Sequence, residues 1–560
     1  GMDGCRVGSF FHAKYISRNR GTFVVSYLTI SDSTLASIPR RRSSKKIIVL
    51  KFGGTTVGAT KEQGRIRLAR QTIAGLVSQN TFVVPVFSAY RRGRSGAEEK
   101  FSVTDMLQNY KSHVAANDSF AEGVDSFAQK IFDAHRSLID DLKLSGDSKL
   151  IRELEDDVDS LKNTVAMSCS AFENVPSLND IIITAGERLA VKIISAYLNA
   201  HFHNGTFPMA AAAVTALELG IYTDNAFGSA TIDWARAVDH SREVIVGQYL
   251  ERNIIPIVTG FDGIYDPNNE FKEIMQTGHD EQLADSYSGV YRTSLGRGGS
   301  DLTATFLGLA LDAEYVGFCK ETPGVLTGDD MLVGDMARTV DELNYDLATE
   351  AGNIYARAVE PVRAGNVPVR IFDPARPEIN TVVSDIDLPA GLYIIERPME
   401  AVNVHAGTIP DEPGALISFL KIFAEHNVNV EEIRHQRSGT DCIVCGDENA
   451  IQKVVNILHE RGMRPQSHFT WYLRVIGNVT EELAGTFNGF MEEFEPLTLA
   501  AYQVGIKVLT ATVVRNRAGA QLEEMQRIER IVQRIHDELV APTSRPLETA
   551  RDRAELHTTG

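Results

Sequence analysis

The sequence predicts an α/β protein whose mostly parallel sheet is covered by helices on both faces. Apolar strand-like runs alternate with helical stretches from residue 46 to about residue 375. Such alternation is typical of parallel sheets with helical crossovers, which bind ligands at the carboxyl ends of their strands. After residue 398 a β-α-β-β-α order follows, and a weaker copy of it begins near residue 471. We therefore expect two smaller α/β modules after the large domain.

The individual elements are predicted from apolar runs and helical periodicity. In the large domain the strands are residues 47–50, 82–87, 180–184, 254–259, 315–318 and 367–371, and the helices include 61–78, 119–144, 187–200 and 301–310. Residues 145–180 mix charges of both signs, which indicates a solvated helical insertion. In the C-terminal part the strands are 402–405, 428–430, 441–445 and 471–476, and the helices are 413–425, 450–461, 481–493 and 522–539.

Length and composition indicate several domains and exclude some functions. The 560 residues carry a net charge of −18, which argues against general affinity for nucleic acid. No apolar run reaches the roughly 18 residues that span a bilayer. Five cysteines do not make a disulfide framework, so a reducing compartment such as the cytoplasm is predicted.

The predicted domain boundaries follow shifts in composition. They give a basic extension at 1–45 (disordered or targeting), a catalytic domain at 46–375, a proline-containing linker at 376–398, two modules at 399–465 and 466–541, and a disordered tail at 542–560. If residues 1–45 are a transit peptide, a plastid is the alternative location.

A lysine and two glycines follow the first predicted strand, and this pattern is typical of a phosphate-binding turn. Lys51 supplies a positive charge, and Gly53 and Gly54 let backbone N–H groups approach phosphate oxygens closely. An ordinary tight turn after a strand is the alternative.

Residues 293–301 form the strongest single motif, just before a predicted helix. The segment combines three glycines, hydroxyl side chains and an arginine, a composition that suits an anion-binding nest of backbone N–H groups. Its candidate anion-binding residues are Gly296, Arg297, Gly298, Gly299 and Ser300. A flexible turn is the alternative.

Glu187 lies in the first turn of a predicted helix, directly after Gly186. A carboxylate beyond a strand end is suited to bind a cationic amine. Complementing the helix dipole is an equally good explanation for a glutamate at this position.

Together these motifs resemble those of aspartate kinases in the amino-acid kinase superfamily. Residues 51–57 are similar to the family's lysine–glycine phosphate motif, and residues 293–301 to its glycine loop. Other matching segments are Ser88-Ala89, Thr104-Asp105, Gly186-Glu187, Thr223-Asp224 and residues 357–360. The resemblance covers residues 46–465 well and 466–541 loosely. It implies an amino-acid kinase fold followed by two ferredoxin-like ACT modules.

The resemblance implies transfer of a phosphoryl group from ATP, with Mg²⁺, to the β-carboxylate of L-aspartate. This reaction begins the pathway to lysine, threonine and methionine. Lys51 and Asp301 are then the catalytic candidates, and Lys320 joins the two glycine motifs in binding ATP. The implied substrate-binding residues are Thr55, Thr56, Ser88, Thr104, Glu187 and Thr223. Asp301 is also the candidate Mg²⁺ ligand, and the other metal ligands stay unassigned.

The C-terminal part resembles ACT modules, which sense free amino acids and pair in this family. The resemblance implies a homodimer or homotetramer and regulation by lysine or threonine. The implied effector-binding residues are Asp411, Pro413, Gly414, Ala415, Asn427 and Val428. A plain helix-start turn is the alternative for Pro413-Gly414.

The segment on the nucleotide side departs from the usual family pattern. Lys320-Glu321 stands where a Thr-Asp pair is usual, and Met331 where an arginine is usual. A divergent subgroup that includes ectoine-associated aspartate kinases resembles the chain here, with Lys320 restoring positive charge. Two alternatives stay open: a catalytically weak amino-acid sensor with this fold, and a superfamily kinase acting on glutamate or a nucleotide.

Overall fold

The computed structural model describes most of residues 45–477 and shorter segments on either side. The described residues are 16–19, 22–25, 45–58, 64–92, 101–170, 175–202, 209–268, 290–388, 392–396, 398–409, 412, 414–426, 428–436, 439–477, 497–500, 507–514, 526, 529–530, 532–534, 536 and 545–546. The chain divides into two compact units: residues 1–316 with 360–367, and residues 317–359 with 368–560.

The first unit contains a parallel sheet, as the alternating pattern predicted. The strands of this unit are β1 (Ile16–Asn19), β2 (Thr22–Val25), β3 (Ile47–Phe52), β4 (Phe82–Phe87), β5 (Arg91–Arg92), β6 (Phe101–Ser102), β7 (Ala210–Val214), β8 (Ile254–Thr259), β9 (Asp262–Tyr265) and β10 (Tyr291–Ser294). Strands β3, β4, β8 and β7 pair in that order, and every pairing is parallel. The pairs β1–β2, β5–β6 and β9–β10 are antiparallel. β11 (Tyr315–Cys319) contains the boundary between the units.

Helices accompany these strands in the predicted alternation. They are α1 (Gly54–Val57), α2 (Gly64–Ser78), α3 (Val103–Gln108), α4 (Tyr110–Ala115), α5 (Phe120–Asp141), α6 (Ser148–Ser170), α7 (Pro176–Ile183), α8 (Ala185–Phe202), α9 (Ala216–Leu219), α10 (Trp234–Glu243) and α11 (Gly299–Ala310). Within the insertion predicted at 145–180, residues 148–170 and 176–180 are helical, as expected. Its helix α6 buries Leu154, Val158, Leu161 and Val165, which are spaced three or four residues apart.

The strand predicted at residues 180–184 is wrong, because these residues end α7 and lead into α8. Pro176 begins the helix, and Thr184 N–H donates to the Asp180 carbonyl 3.1 Å away. The three consecutive isoleucines at 181–183 suit a buried helix as well as a buried strand, so periodicity alone does not separate the two.

The second unit begins with short strands and helices and ends with a large antiparallel sheet. Its first elements are β12 (Val325–Leu326), α12 (Asp330–Val333), β13 (Arg338–Val340), β14 (Glu342–Asn344), α13 (Tyr345–Glu350), α14 (Ala356–Gly365, which contains a unit boundary), β15 (Val369–Phe372), β16 (Asn380–Ser384) and β17 (Tyr393–Ile395). β16 pairs with β15 and β14. Residues 376–398, predicted as a linker, therefore contain two paired strands, β16 and β17.

The antiparallel sheet joins both predicted ACT-type modules. Its elements are β18 (Met399–Gly407), α15 (Ala415–Glu425), β19 (Asn429–Gln436), β20 (Gly439–Cys445), α16 (Glu448–Glu460), β21 (Gln466–Gly477), β22 (Leu497–Ala500) and β23 (Lys507–Val514), and β24 (Arg545–Pro546) pairs with β13. The order is β19-β20-β18-β21-β23-β22. Residues 466–472 of β21 pair with β18 and residues 470–477 pair with β23, so residues 470–472 lie between both partners. β21 begins directly after the boundary predicted at residue 465 and joins β18, which precedes that boundary, to β23, which follows it.

The first module has its own apolar core. Phe419 and Phe423 of α15 and Val454 and Leu458 of α16 pack against Val404 of the sheet. The helix predicted at 481–493 lies outside the described residues, whereas residues 526, 529–530, 532–534 and 536 are helical, within the prediction for 522–539. No helix in the described part of the chain combines the length and apolar character that crossing a membrane requires.

Candidate active site

The phosphate-type turn and the following strand end meet at Ala89. β3 ends at Phe52, whose carbonyl accepts the N–H of Ser88 at 3.1 Å. A Cβ atom at Gly54 would lie 2.6 Å from the Ala89 carbonyl oxygen, so only glycine fits there. The turn of Lys51 and Gly54 therefore lies directly against the segment of Ser88 and Ala89.

Lys51 and Asp301 form an ion pair at this end of the sheet. Lys51 Nζ lies 2.7 Å from Asp301 Oδ1, and the two side chains are 20% and 10% exposed. Asp301 belongs to the first turn of α11. The pair brings together two sequence motifs that lie about 250 residues apart.

The glycine loop connects β10 to the N-terminus of α11. Gly298 precedes the helix with φ of +73°, a conformation that favours glycine. Gly299 N–H donates to the Gly296 carbonyl at 2.9 Å, which closes the turn. Arg297 is exposed and Ser300 is half-buried. The loop thus presents an arginine at the positive end of a helix dipole, an arrangement that favours anions.

Glu187 is a buried carboxylate next to the same Ala89. The residue is 3% exposed, and its Oε1 accepts the Ala89 N–H at 3.1 Å. Its Oε2 is buried and has no hydrogen-bond partner among the described residues. Burial raises the pKa of Glu187 to about 8, although the hydrogen bond from Ala89 acts in the opposite direction. Such a carboxylate is stabilised by a cationic ligand.

The remaining predicted substrate residues lie on the surrounding elements. Thr55 and Thr56 are in α1, and Thr104 is in the first turn of α3 after the capping residue Ser102. Thr223 Oγ1 lies 2.7 Å from Thr293 Oγ1, which joins the 223–230 segment to β10. Their assignment as substrate-binding residues stays a prediction.

Two buried acids near these motifs escaped the sequence prediction. Asp262 is fully buried and pairs with Arg292 at 3.3 Å, and it also accepts the hydroxyl of Thr259 at 2.8 Å. Asp180, 1% exposed, accepts two backbone N–H groups from distant segments. Neither acid stands in a recognisable motif. The Gly-Phe-Asp-Gly turn at 260–263 is the only local signal for Asp262.

Lys320 and the effector candidates belong to the second unit. Lys320 Nζ donates to the Asn353 carbonyl at 2.8 Å, and its backbone N–H donates to the Phe372 carbonyl at 2.9 Å. Gly414, with φ of +87°, caps α15 just before Ala415, and Val428 is buried in the core of the first module. Asp411, Pro413 and Asn427 lie outside the described residues. The described residues contain no cluster of three or more His, Cys, Asp or Glu side chains arranged for a metal ion.

Comparison with family models identifies the fold family. The model of the amino acid kinase family matches residues 46–373, more than half of the chain, and the ACT domain model matches residues 408–462. The chain belongs to the amino acid kinase family. The fold expected from the sequence, an amino-acid kinase domain followed by an ACT part, is confirmed.

Curated relatives of this amino acid kinase are aspartokinases, as the sequence motifs indicated. The chloroplastic aspartokinase 3 of Arabidopsis thaliana is 27% identical over 45% of this chain and 42% of its own length. Chloroplastic aspartokinase 1 of the same plant is 24% identical over 69% of this chain and 61% of its own length. The aspartokinase of Corynebacterium efficiens is 26% identical over 47% of this chain and 56% of its own length. The chain thus spans about half the length of the curated relatives it matches.

Solved structures show the same fold at low sequence identity. Aspartokinase III of E. coli in complex with lysine and aspartate has a TM-score of 0.65 and 20% identity, covering 88% of this chain and all of that one. Aspartate kinase of Clostridium acetobutylicum has a TM-score of 0.60 and 17% identity, again over 88% of this chain and all of that one. The narrower resemblance to ectoine-associated enzymes stays a prediction.

Proposed function

We propose that this amino acid kinase transfers the γ-phosphoryl group of ATP to the β-carboxylate of L-aspartate. The observation that carries the proposal is the convergence on Ala89. Its carbonyl abuts Gly54 of the phosphate-type turn, and its N–H holds the buried carboxylate of Glu187. An amine-binding group therefore lies beside a phosphate-binding turn, as a kinase acting on an amino acid requires.

The chemistry of this reaction suits the residues that converge. The β-carboxylate of aspartate is ionised at neutral pH, so it needs no general base to become a nucleophile. Its oxygen attacks the γ-phosphorus while the bond from that phosphorus to the β–γ bridging oxygen breaks and ADP leaves. Lys51 stabilises negative charge on the transferring group, and Asp301 orients the Lys51 ammonium. Mg²⁺, bound with ATP, would neutralise phosphate charge.

Glu187 gives selectivity for an α-amino acid. Its buried Oε2, without a hydrogen-bond partner among the described residues, accepts from the substrate ammonium. We propose Thr55, Thr56, Ser88, Thr104 and Thr223 as the surrounding hydroxyl groups that orient the substrate.

Regulation by an amino acid, lysine or threonine, is proposed for the ACT part. The solved E. coli relative is described in complex with lysine and aspartate, and the ACT model matches residues 408–462 here. We also propose that the protein assembles as a homodimer or homotetramer and that its reaction begins the synthesis of lysine, threonine and methionine. Its proposed location is the cytoplasm or a plastid.

A catalytically weak amino-acid sensor is the second candidate. It is favoured by Lys320, the cation proposed to compensate for the altered nucleotide segment, whose Nζ contacts the Asn353 carbonyl. This contact draws positive charge toward the protein's own backbone. A sensor would bind amino acids through the same fold without appreciable ATP turnover.

An ATP-dependent aspartyl-hydroxamate assay separates these proposals. Turnover with aspartate but not with glutamate supports the aspartate kinase, and suppression by lysine or threonine names the effector. Absence of turnover at every Mg²⁺ concentration, combined with calorimetric binding of lysine or threonine, would support the sensor. Turnover with glutamate alone would assign another substrate.

A further inference from the structure

Asp180 joins two loops of the candidate site through one carboxylate oxygen. Its Oδ2 accepts the N–H of Gly228 at 2.9 Å and the N–H of Ser294 at 2.7 Å. Gly228 follows Thr223, and Ser294 ends β10 at the start of the glycine loop. The two donors are 66 residues apart in the chain, so local structure does not hold them together.

The segments that Asp180 joins also contact each other. The Ser294 carbonyl accepts the Ala230 N–H at 2.8 Å, and the Ser294 hydroxyl oxygen accepts the Gly296 N–H at 3.2 Å. The Thr223 and Thr293 hydroxyls lie 2.7 Å apart. Asp180 therefore holds an assembly that contains Thr223 and leads directly into the glycine loop.

Asp180 itself is held rigidly by its helix. Its neighbour Asn179 accepts hydrogen bonds from Tyr110 at 2.5 Å and Ser168 at 3.3 Å, which tie α7 to α4 and α6. α7 also packs against α3, the helix of Thr104, and against β10. The carboxylate thus transmits the position of a fixed helix to two loops.

Burying the carboxylate of Asp180 costs desolvation free energy. Asp180 is 1% exposed and forms no ion pair with any residue that the structure describes. Burial raises the pKa of Asp180 to about 6, although the hydrogen bonds from Gly228 and Ser294 act in the opposite direction. An apolar side chain would avoid this desolvation but would leave two buried N–H groups without an acceptor.

We propose that Asp180 is a positioning residue that sets the 223–230 segment and the glycine loop in the geometry needed for phosphoryl transfer. This inference rests on the proposed kinase function. Asp180 acts through backbone N–H groups and does not touch the reacting atoms. Its role depends on one oxygen accepting two hydrogen bonds.

The test compares Asp180→Asn and Asp180→Leu, with Asn179→Ala as the matched control. The amide oxygen of Asp180→Asn still accepts both N–H groups, so kcat/KM for aspartate should stay within about threefold of wild type. Asp180→Leu keeps the branched shape of the side chain but offers no acceptor, and its kcat/KM should fall at least about tenfold, since small displacements of aligned groups cost up to about 100-fold. Asn179→Ala removes two of the contacts that hold α7 but leaves its packing against α3 and β10, so Tm should fall while kcat/KM stays nearly unchanged.

Amide hydrogen exchange provides a readout that does not depend on activity. Without substrate, Asp180→Leu should exchange faster at Gly228 and Ser294, whereas Asp180→Asn and Asn179→Ala should match wild type at these amides. The inference is overturned if folded Asp180→Leu keeps wild-type exchange there, or if Asn179→Ala shows the same kinetic loss. Should the wild-type protein not phosphorylate aspartate, the proposed function fails, and the exchange result still decides whether Asp180 orders the two loops.

Discussion

Replacing Glu187 by glutamine tests the electrostatics of the proposed amine site. The substitution keeps the shape of the side chain and the acceptor for the Ala89 N–H but removes the negative charge. Burial raises the pKa of this carboxyl from 4.5 to about 8. The folded protein therefore holds a proton that the unfolded chain has released between these two pH values.

The sign and size of the stability effect follow from this difference. Because the folded state binds the proton more tightly, the free energy of unfolding falls as pH rises from 4.5 to about 8. At about 1.4 kcal/mol per pKa unit, the ionised Glu187 lowers the free energy of unfolding by at most about 5 kcal/mol at pH values above about 8. Glu187→Gln removes it, so the variant should be more stable than wild type by several kcal/mol at pH 9. At pH 5 both side chains are neutral in the folded state and the unfolded carboxyl has only begun to ionise, so the two proteins should agree within about 1 kcal/mol.

Activity should change in the opposite direction to stability. Without the carboxylate the substrate ammonium loses its charged partner, and kcat/KM for aspartate should fall by about 100-fold, which corresponds to about 3 kcal/mol. In wild type, kcat/KM for aspartate should rise with pH toward about 8 as Glu187 ionises. The Glu187→Gln variant should lack this rise.

Denaturant unfolding at pH 5 and pH 9, followed by fluorescence and circular dichroism, measures the stability effect. Glu153→Gln is the control, because Glu153 forms an exposed pair with Lys149 on α6 and should change stability by less than about 0.5 kcal/mol at both pH values. A Glu187→Gln stability difference that is the same at pH 5 and pH 9 would refute the reasoning that burial of an ionised carboxylate sets the pH dependence.

Three further substitutions test other parts of the molecule. Lys51→Ala should abolish turnover while the circular dichroism spectrum stays native. The control Lys46→Ala, which breaks only an exposed pair with Glu314, should keep activity within about twofold. Near-normal turnover of Lys51→Ala would show that Lys51 does not have its assigned role. Arg474→Ala leaves Glu350 and Glu396 without their shared cation, so the free energy of unfolding should fall by about 1–3 kcal/mol. Suppression of kinase activity by lysine or threonine should also weaken. Unchanged suppression would show that this contact carries no regulatory signal. Phe423→Ala opens a cavity in the first ACT core and should cost about 3–5 kcal/mol in unfolding free energy, with basal kcat retained; a loss below 1 kcal/mol would contradict the packing.

The parts of the site that sequence predicted have strong local signals. The lysine–glycine turn follows an apolar run that becomes β3, and the glycine loop immediately precedes α11. In both cases the chemistry depends on residue types at fixed spacing, so neighbours along the chain already define the local structure. Helices were also predicted at 119–144 and 450–461, and the structure has α5 and α16 there, each after a capping side chain, Ser119 or Asp447.

The errors have an equally definite cause. The isoleucines of α7 fit a buried strand or a buried helix, and only packing decides between them. β7 (Ala210–Val214) was missed because four of its five residues are alanines, which are depleted in strands, yet its partner β8 provides a parallel edge for pairing. The pairing of β21 with both β18 and β23, which joins strands from either side of residue 465 into one sheet, has no local signal in the sequence.

By itself the sequence determined the amino acid kinase family, the lysine–glycine turn, the glycine loop and an ACT domain, because each is a pattern of neighbouring residues. Only the tertiary structure decided that Ala89 contacts both Gly54 and Glu187, that Arg292 neutralises Asp262, and that Asp180 holds Gly228 and Ser294. These contacts join residues that are 30 to 114 positions apart. A buried charge or N–H group is satisfied by whatever the fold places within about 3 Å, and that distance has no signature along the chain.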